Sequence, residues 1–139
     1  MSKNPASTGS SRGTIICTAS NAGLYPFPVA PVYSATKAGV IGLVRSLALP
    51  YAKHNIQINA LAPAVLETNI APTRDLFSNM VLTPFTTITR GVQQFIDDPS
   101  MTGQVAEIHG ESVTIRPHLE IVDEDSGRNL EEFWRFGRA

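Results

Sequence analysis

The sequence predicts an α/β fold: about three parallel strands with helices between them, as in part of a doubly wound sheet. Three observations carry this. Short apolar runs rich in β-branched residues alternate with longer stretches of helical period. Their order along the chain is strand, helix, strand, helix, strand. The strands are apolar on both faces, which suits a sheet covered on each side. Parallel pairing with right-handed crossovers is the arrangement such an order favours.

Each element has its own warrant. Residues 1–13, "MSKNPASTGSSRG", are small and polar and predict a disordered leader. "GTIICTAS" then predicts a buried strand from about Thr14 to Thr18. In "VYSATKAGVIGLVRSLALPYAKH" the residues Val40, Leu43, Val44, Leu47 and Ala48 recur at helical spacing. That helix should begin near Val32, after Pro31, and end around Lys53-His54, with a kink or early stop at Pro50. "NIQINALAP" predicts a second strand, Ile56 to Leu61, stopped by Pro63.

"VLETNIAPTRDLFSNMVLTP" is irregular, with room for one short helix. "PFTTITRGVQQFIDD" predicts a second long helix whose apolar stripe is Ile88, Val92, Phe95 and Ile96. A third strand, Gln104 to Ile108, closes the unit that spans 14–111. The tail, 112–139, differs in texture: acidic, then amphipathic. Asp125 or Ser126 is the expected cap of a terminal helix carrying Leu130, Phe133 and Trp134.

Composition narrows the function classes. At 139 residues, with 42% hydrophobic and 17% charged residues, the chain reads as one ordinary globular domain. A net charge of −1 gives no ground for nucleic acid or an anionic membrane as partner. The single cysteine, Cys17, excludes an internal disulfide framework and is expected to be a buried, inert thiol. No apolar run has membrane-spanning length and the opening has no signal-peptide core, so a cytoplasmic protein is expected. His54, His109 and His118 show no metal-ligand spacing with one another or with Cys17, and no metal is expected.

The stretch "SNAGLYPFPVAPVYSATKAGV" carries the chemistry. Tyr33 and Lys37 are four apart near the start of a helix, so they rise from one face. An ammonium beside a phenol favours the phenolate, which brings a group titrating near 10 toward use as an acid or base. Ser20 ends the first strand, at the carboxyl edge where open α/β sheets place ligands. Its hydroxyl is placed to orient a substrate oxygen beside Tyr33. The plainer account of the same residues is a surface i,i+4 pair and a strand-end turn serine.

Context selects between the two. The segment from "TIICTASNAG" through "VYSATKAG" to "NIQINALAP", Asn59 to Pro63 included, resembles the short-chain dehydrogenase/reductase family. "MTGQVAEIHGE" is similar to that family's last core strand, and the likeness runs from about Thr14 to Glu111. It looks nearest to the branch of 15-hydroxyprostaglandin dehydrogenase-like proteins. The resemblance implies the carboxyl-terminal half of a Rossmann-like domain. It implies Tyr33 as acid/base, Lys37 as the group that holds the nicotinamide ribose and acidifies Tyr33, and Ser20 on the substrate oxygen. Pro63, Leu66 and Thr68, with Tyr33 and Lys37, would contact NAD or NADP. The reaction implied is hydride transfer between that cofactor and a small secondary alcohol or ketone.

The sequence departs from the family in two places. No strand, glycine-rich turn and helix precede Thr14 to cradle a pyrophosphate. "TGSSRGT", Thr8 to Thr14, imitates that turn, but a polar leader precedes it and a strand follows, with Ile15 in place of the final glycine. Ala64 stands where the family commonly has glycine, so a left-handed backbone there would be strained. Two readings stay open: an NAD(P)-dependent oxidoreductase, or a truncated, non-enzymatic relative serving as a structural or interaction fragment. Without the cradle the isolated chain is expected to be inactive. The edge of the first strand is a pairing site for another copy or a complementing chain. Phe133, Trp134 and Phe136 are expected to pack, or to line a substrate entrance or subunit contact.

Overall fold

The computed structural model describes Met1, residues 11–68 and residues 73–137. Most of the predicted leader, residues 2–10, lies outside the described residues, and Gly13 already belongs to the first strand. The elements run β1 (Gly13–Thr18), α1 (Pro31–Ala52), β2 (Ile56–Pro63), α2 (Phe85–Asp97), β3 (Val105–His109), β4 (Ser112–Arg116) and α3 (Glu124–Gly137). Short 3-10 turns occupy Asn21–Gly23 and Arg74–Phe77. The sheet is four-stranded in the order β1-β2-β3-β4. The first three strands pair in parallel, with Cys17 opposite Ala60 and Leu61 opposite Ala106.

β4, at the start of the tail, is a fourth strand added to the three expected parallel ones. It folds back antiparallel on β3, with Glu107 opposite Thr114 and Ile108 opposite Val113. The turn between them is the pair Gly110-Glu111, the two-residue loop that tight hairpins use. Val113 and Ile115 then alternate onto the apolar layer under α2.

β2 is buried along nearly its whole length because both faces are covered. On one face Ile41, Val44 and Ala48 of α1 pack on Ala19, Ile58, Ala60, Ala62 and Val105. On the other, Phe95 of α2 packs on Leu61, Ala106 and Ile108, with Ile88 and Val92 beside it. Phe95 is fully buried, so truncating it to alanine is expected to cost about 3–5 kcal/mol. The strands step one way across the sheet while α1 and α2 lie on opposite faces. Two such crossovers cannot share one hand, so the expectation of right-handed connections throughout fails for one of them. The long segment 64–84 ahead of α2 frees that helix from the short-loop geometry behind the usual rule.

Smaller differences have local causes. Ile41, not Leu43, belongs to the buried stripe of α1, and Leu43 faces outward. Ile96 is likewise exposed on α2. Pro31 sits in the first turn of α1, where its missing N–H costs nothing. Pro50 does not end the helix early. Only two helical residues follow it, and the stop is Asn55, whose φ of 54° turns the chain into β2. β2 extends through Pro63, since a proline at a strand's last position removes no needed donor. α3 is capped by Asp123 rather than Asp125 or Ser126: its Oδ1 accepts from the Ser126 backbone N–H at 2.7 Å. That bond, then one from the Ser126 side chain, holds the Asp123 carboxyl below the usual carboxylate range.

Candidate active site

The carboxyl ends of β1 and β2 lie side by side, joined beyond the paired residues by a 2.7 Å bond from the Ala19 N–H to the Leu61 carbonyl. Ser20 leaves β1 at that edge and Pro63 ends β2 beside it. Ser20 is buried, and its Oγ accepts from the Ala22 N–H at 3.2 Å, capping the 3-10 turn Asn21–Gly23. The hydroxyl lies 3.4 Å from Asn21 Oδ1. The turn-serine and site-serine readings are therefore compatible: the cap fixes where the hydroxyl sits.

Tyr33 and Lys37 occupy the first turns of α1 on one face, with Lys37 Nζ 5.7 Å from the Tyr33 ring centroid. Lys37 Nζ also donates to the Thr18 carbonyl at 3.0 Å, which ties the helix cation to the end of β1. Tyr33 is 46% exposed, so its ring is open to an incoming molecule. The capped turn packs directly on this part of the helix. A Cβ on Gly23 would stand 2.7 Å from the carbonyl carbon of Lys37, 2.8 Å from its oxygen and 2.9 Å from the Ala38 nitrogen. No side chain fits there, and the glycine is what lets the Ser20 turn seat beside Lys37.

Sequence reasoning missed several of these supports. Thr18 acts through its backbone, which side-chain identity does not reveal. Ser34, buried in α1, accepts from the Phe27 N–H at 2.9 Å and pins the proline-rich loop that separates Ser20 from Tyr33. Tyr25 in the same loop donates to Glu107 Oε2 of β3 at 3.1 Å. Arg116 of β4 reaches that oxygen at 3.5 Å and lies over the Tyr25 ring, 5.9 Å from its centroid. The loop is thus tied to the far strands of the sheet. An isolated carboxylate in an apolar strand was the available signal.

Asn59 has a structural task. Its fully buried amide donates to the Met101 carbonyl at 2.8 Å and accepts from the Gln104 N–H at 3.0 Å, holding the turn that feeds β3. Beyond Pro63, Ala64 has no positive φ, and its N–H donates to the Ile108 carbonyl at 2.8 Å. The methyl group that replaces the expected glycine is therefore unstrained. Val65 accepts from the Thr83 N–H at 2.7 Å, so the segment holding Leu66 and Thr68 is anchored beside the same edge. The described part of "TGSSRGT" runs into β1 at Gly13 and no helix follows it, which removes the phosphate-loop geometry.

Chemically, the edge presents an accessible phenol, a fixed ammonium and a buried hydroxyl. Among the described residues, no glycine-rich turn between a strand and a helix is present to hold a pyrophosphate.

Comparison with known proteins follows the same lines. The model of the short chain dehydrogenase family matches residues 4–78. A short-chain dehydrogenase/reductase of Stachybotrys chlorohalonatus is 54% identical over 61 residues, 44% of this chain and 19% of that protein. The crystal structure of 3-hydroxyacyl-CoA dehydrogenase type-2 from Mycobacterium avium superimposes with a TM-score of 0.71 at 21% identity. It covers 84% of this chain and 49% of that one, and shows the shared fold. The structure of ElxO with NADP bound gives a TM-score of 0.60 at 27% identity, over 70% of this chain and 45% of that one. The matched stretch is less than half the length of each of these three proteins.

Proposed function

Because the chain belongs to the short-chain dehydrogenase/reductase family, we propose that its described residues carry proton transfer in an NAD(P)-dependent interconversion of a small secondary alcohol and a ketone. The observation that carries this reading is the Tyr33–Lys37 pair, 5.7 Å from ring to ammonium, at the carboxyl edge of the sheet. A bound nicotinamide dinucleotide, as in the NADP-bound relative, supplies the acceptance or donation of hydride. The chain's own groups do the rest.

In the oxidation direction the Tyr33 oxygen takes the alcohol's hydroxyl proton as the hydride leaves the carbinol carbon; in reduction it returns a proton to the carbonyl oxygen. Lys37 places its ammonium 5.7 Å from the centre of the Tyr33 ring. The Thr18 carbonyl keeps that ammonium from wandering into solvent. Ser20, fixed by its cap on Ala22, presents a hydroxyl for the substrate oxygen. Pro63, Leu66 and Thr68 would contact the nicotinamide ring, and Lys37 its ribose.

Calorimetric titration with NAD and with NADP, followed by turnover of a panel of small secondary alcohols, tests the reading. Binding of one dinucleotide with turnover that depends on Tyr33 supports it. A chain that binds neither dinucleotide fits the non-enzymatic alternative instead.

A further inference from the structure

A second concave site lies at the opposite end of α1 from the tyrosine and lysine. It has a volume of about 450 Å³ and is lined by Arg45, Ala48, Leu49, Gly103, His118 and Trp134 among others. That size is in the range of small-molecule sites. Arg45, the lining residue of α1 nearest to Lys37 in sequence, is about 12 Å from it along the helix axis.

The lining has a definite chemistry. Arg45 is always cationic, and among the described residues no carboxylate pairs with it. Its Nη2 donates to the carbonyls of Arg116, at 3.4 Å, and Pro117, at 2.8 Å, which fixes the guanidinium in place. Its Nε is buried without an acceptor. The charge is held but not neutralised, an arrangement that gains from a bound anion. His118 adds an imidazole, and the lining contains no acidic side chain. Ala48, Leu49 and the Trp134 indole supply an apolar wall, and the hydroxyl-bearing Ser46 and Thr102 complete the lining.

Gly103 gives the floor its depth. Its φ is 73°, and a Cβ there would stand 2.8 Å from the Ala48 methyl and 4.0 Å from His118 Nε2. Any larger residue would crowd the space between α1 and His118.

We propose that this cavity binds a small amphiphilic organic carboxylate, its carboxylate on Arg45 and His118 and its ring or alkyl body against Leu49 and Trp134. A fixed guanidinium charge attracts a carboxylate, and an indole offers an apolar face to a flat ring. Inorganic phosphate would use the cation and waste the apolar wall. The site stands apart from the proposed oxidoreduction, and the failure of either leaves the other intact.

Trp134 is the chain's single tryptophan, so its fluorescence reports on this cavity directly. The whole chain is titrated with 4-phenylbutyrate, with its neutral amide and with inorganic phosphate. The expected result is a saturable change with the carboxylate, half-complete below about 1 mM, and binding at least about tenfold weaker for the amide and for phosphate. Arg45→Met, which keeps the side-chain stem, should bring the carboxylate down to the amide's level. Equal responses to carboxylate and amide would overturn the proposal, as would no saturation of the carboxylate signal by about 10 mM. The wild-type comparison decides the matter even where Arg45→Met does not fold.

Discussion

Lys37 Nζ donates to the Thr18 carbonyl at 3.0 Å, so the cation beside Tyr33 is held by the strand that also delivers Ser20. Replacing it with methionine keeps much of the stem but removes the charge and the donor. Turnover of Lys37→Met is expected to fall by about 10²-fold or more, the scale of a lost acid–base partner. The unfolding midpoint should move little, because the bond lies at the surface. Steady-state kinetics beside a thermal melt separates the two effects.

Gly23 and Gly39 make a matched pair. Alanine at Gly23 collides with the backbone of Lys37 and Ala38 within 2.9 Å, whereas a Cβ on Gly39 meets nothing within 4 Å. Gly23→Ala should destabilise by about 1–3 kcal/mol, as overpacking does, and should displace the Ser20 turn. Gly39→Ala, in mid-helix, should stabilise by roughly 0.5–1 kcal/mol. Denaturant unfolding of both variants checks the contrast, and equal effects would contradict the packing described.

Asn59→Leu tests the stitch below β3. The variant leaves the half-buried Gln104 N–H without its acceptor, while the Met101 carbonyl loses one of two donors and keeps the Gln57 amide at 2.8 Å. An unsatisfied buried group costs about 1–3 kcal/mol. A loss of that order is expected, with faster amide exchange at Gln104.

The cap of α3 predicts a pH response. Asp123 has its carboxyl held low by the Ser126 backbone bond first and the Ser126 side chain second. A lowered carboxyl stabilises fully above the ordinary carboxylate value, 3.8, and the contribution is lost as pH falls through the lowered one. The first turn of α3 should therefore fray on acidification below about pH 4. Asp123→Asn keeps an acceptor without the charge and should flatten that response in amide exchange at Ser126. An unchanged acid profile would show that another group governs it.

Much of this architecture is legible in the sequence, for physical reasons. The parallel core announces itself because β2 is apolar throughout and α1 and α2 carry stripes at helical spacing. The Tyr33–Lys37 pair is legible because four residues on a helix fix a shared face. The family follows from the same stretch, while the comparisons carry no narrower branch. β4 was hidden because "SVTIR" has only two apolar positions, though Gly110-Glu111 before it is a hairpin signal. Of the predicted stripe, Val40, Val44, Leu47 and Ala48 reach the core, and Ile41 takes the place of Leu43. Thr18, Gly23 and Glu107 escaped because their tasks depend on which strands become neighbours.

The most direct test of the account compares wild-type chain with Tyr33→Phe, measuring dinucleotide binding and alcohol oxidation on the same samples. The account predicts that binding persists while oxidation drops by about 10²–10⁴-fold, since the phenylalanine ring keeps the shape and loses the proton carrier. Oxidation that proceeds undiminished in Tyr33→Phe would contradict it.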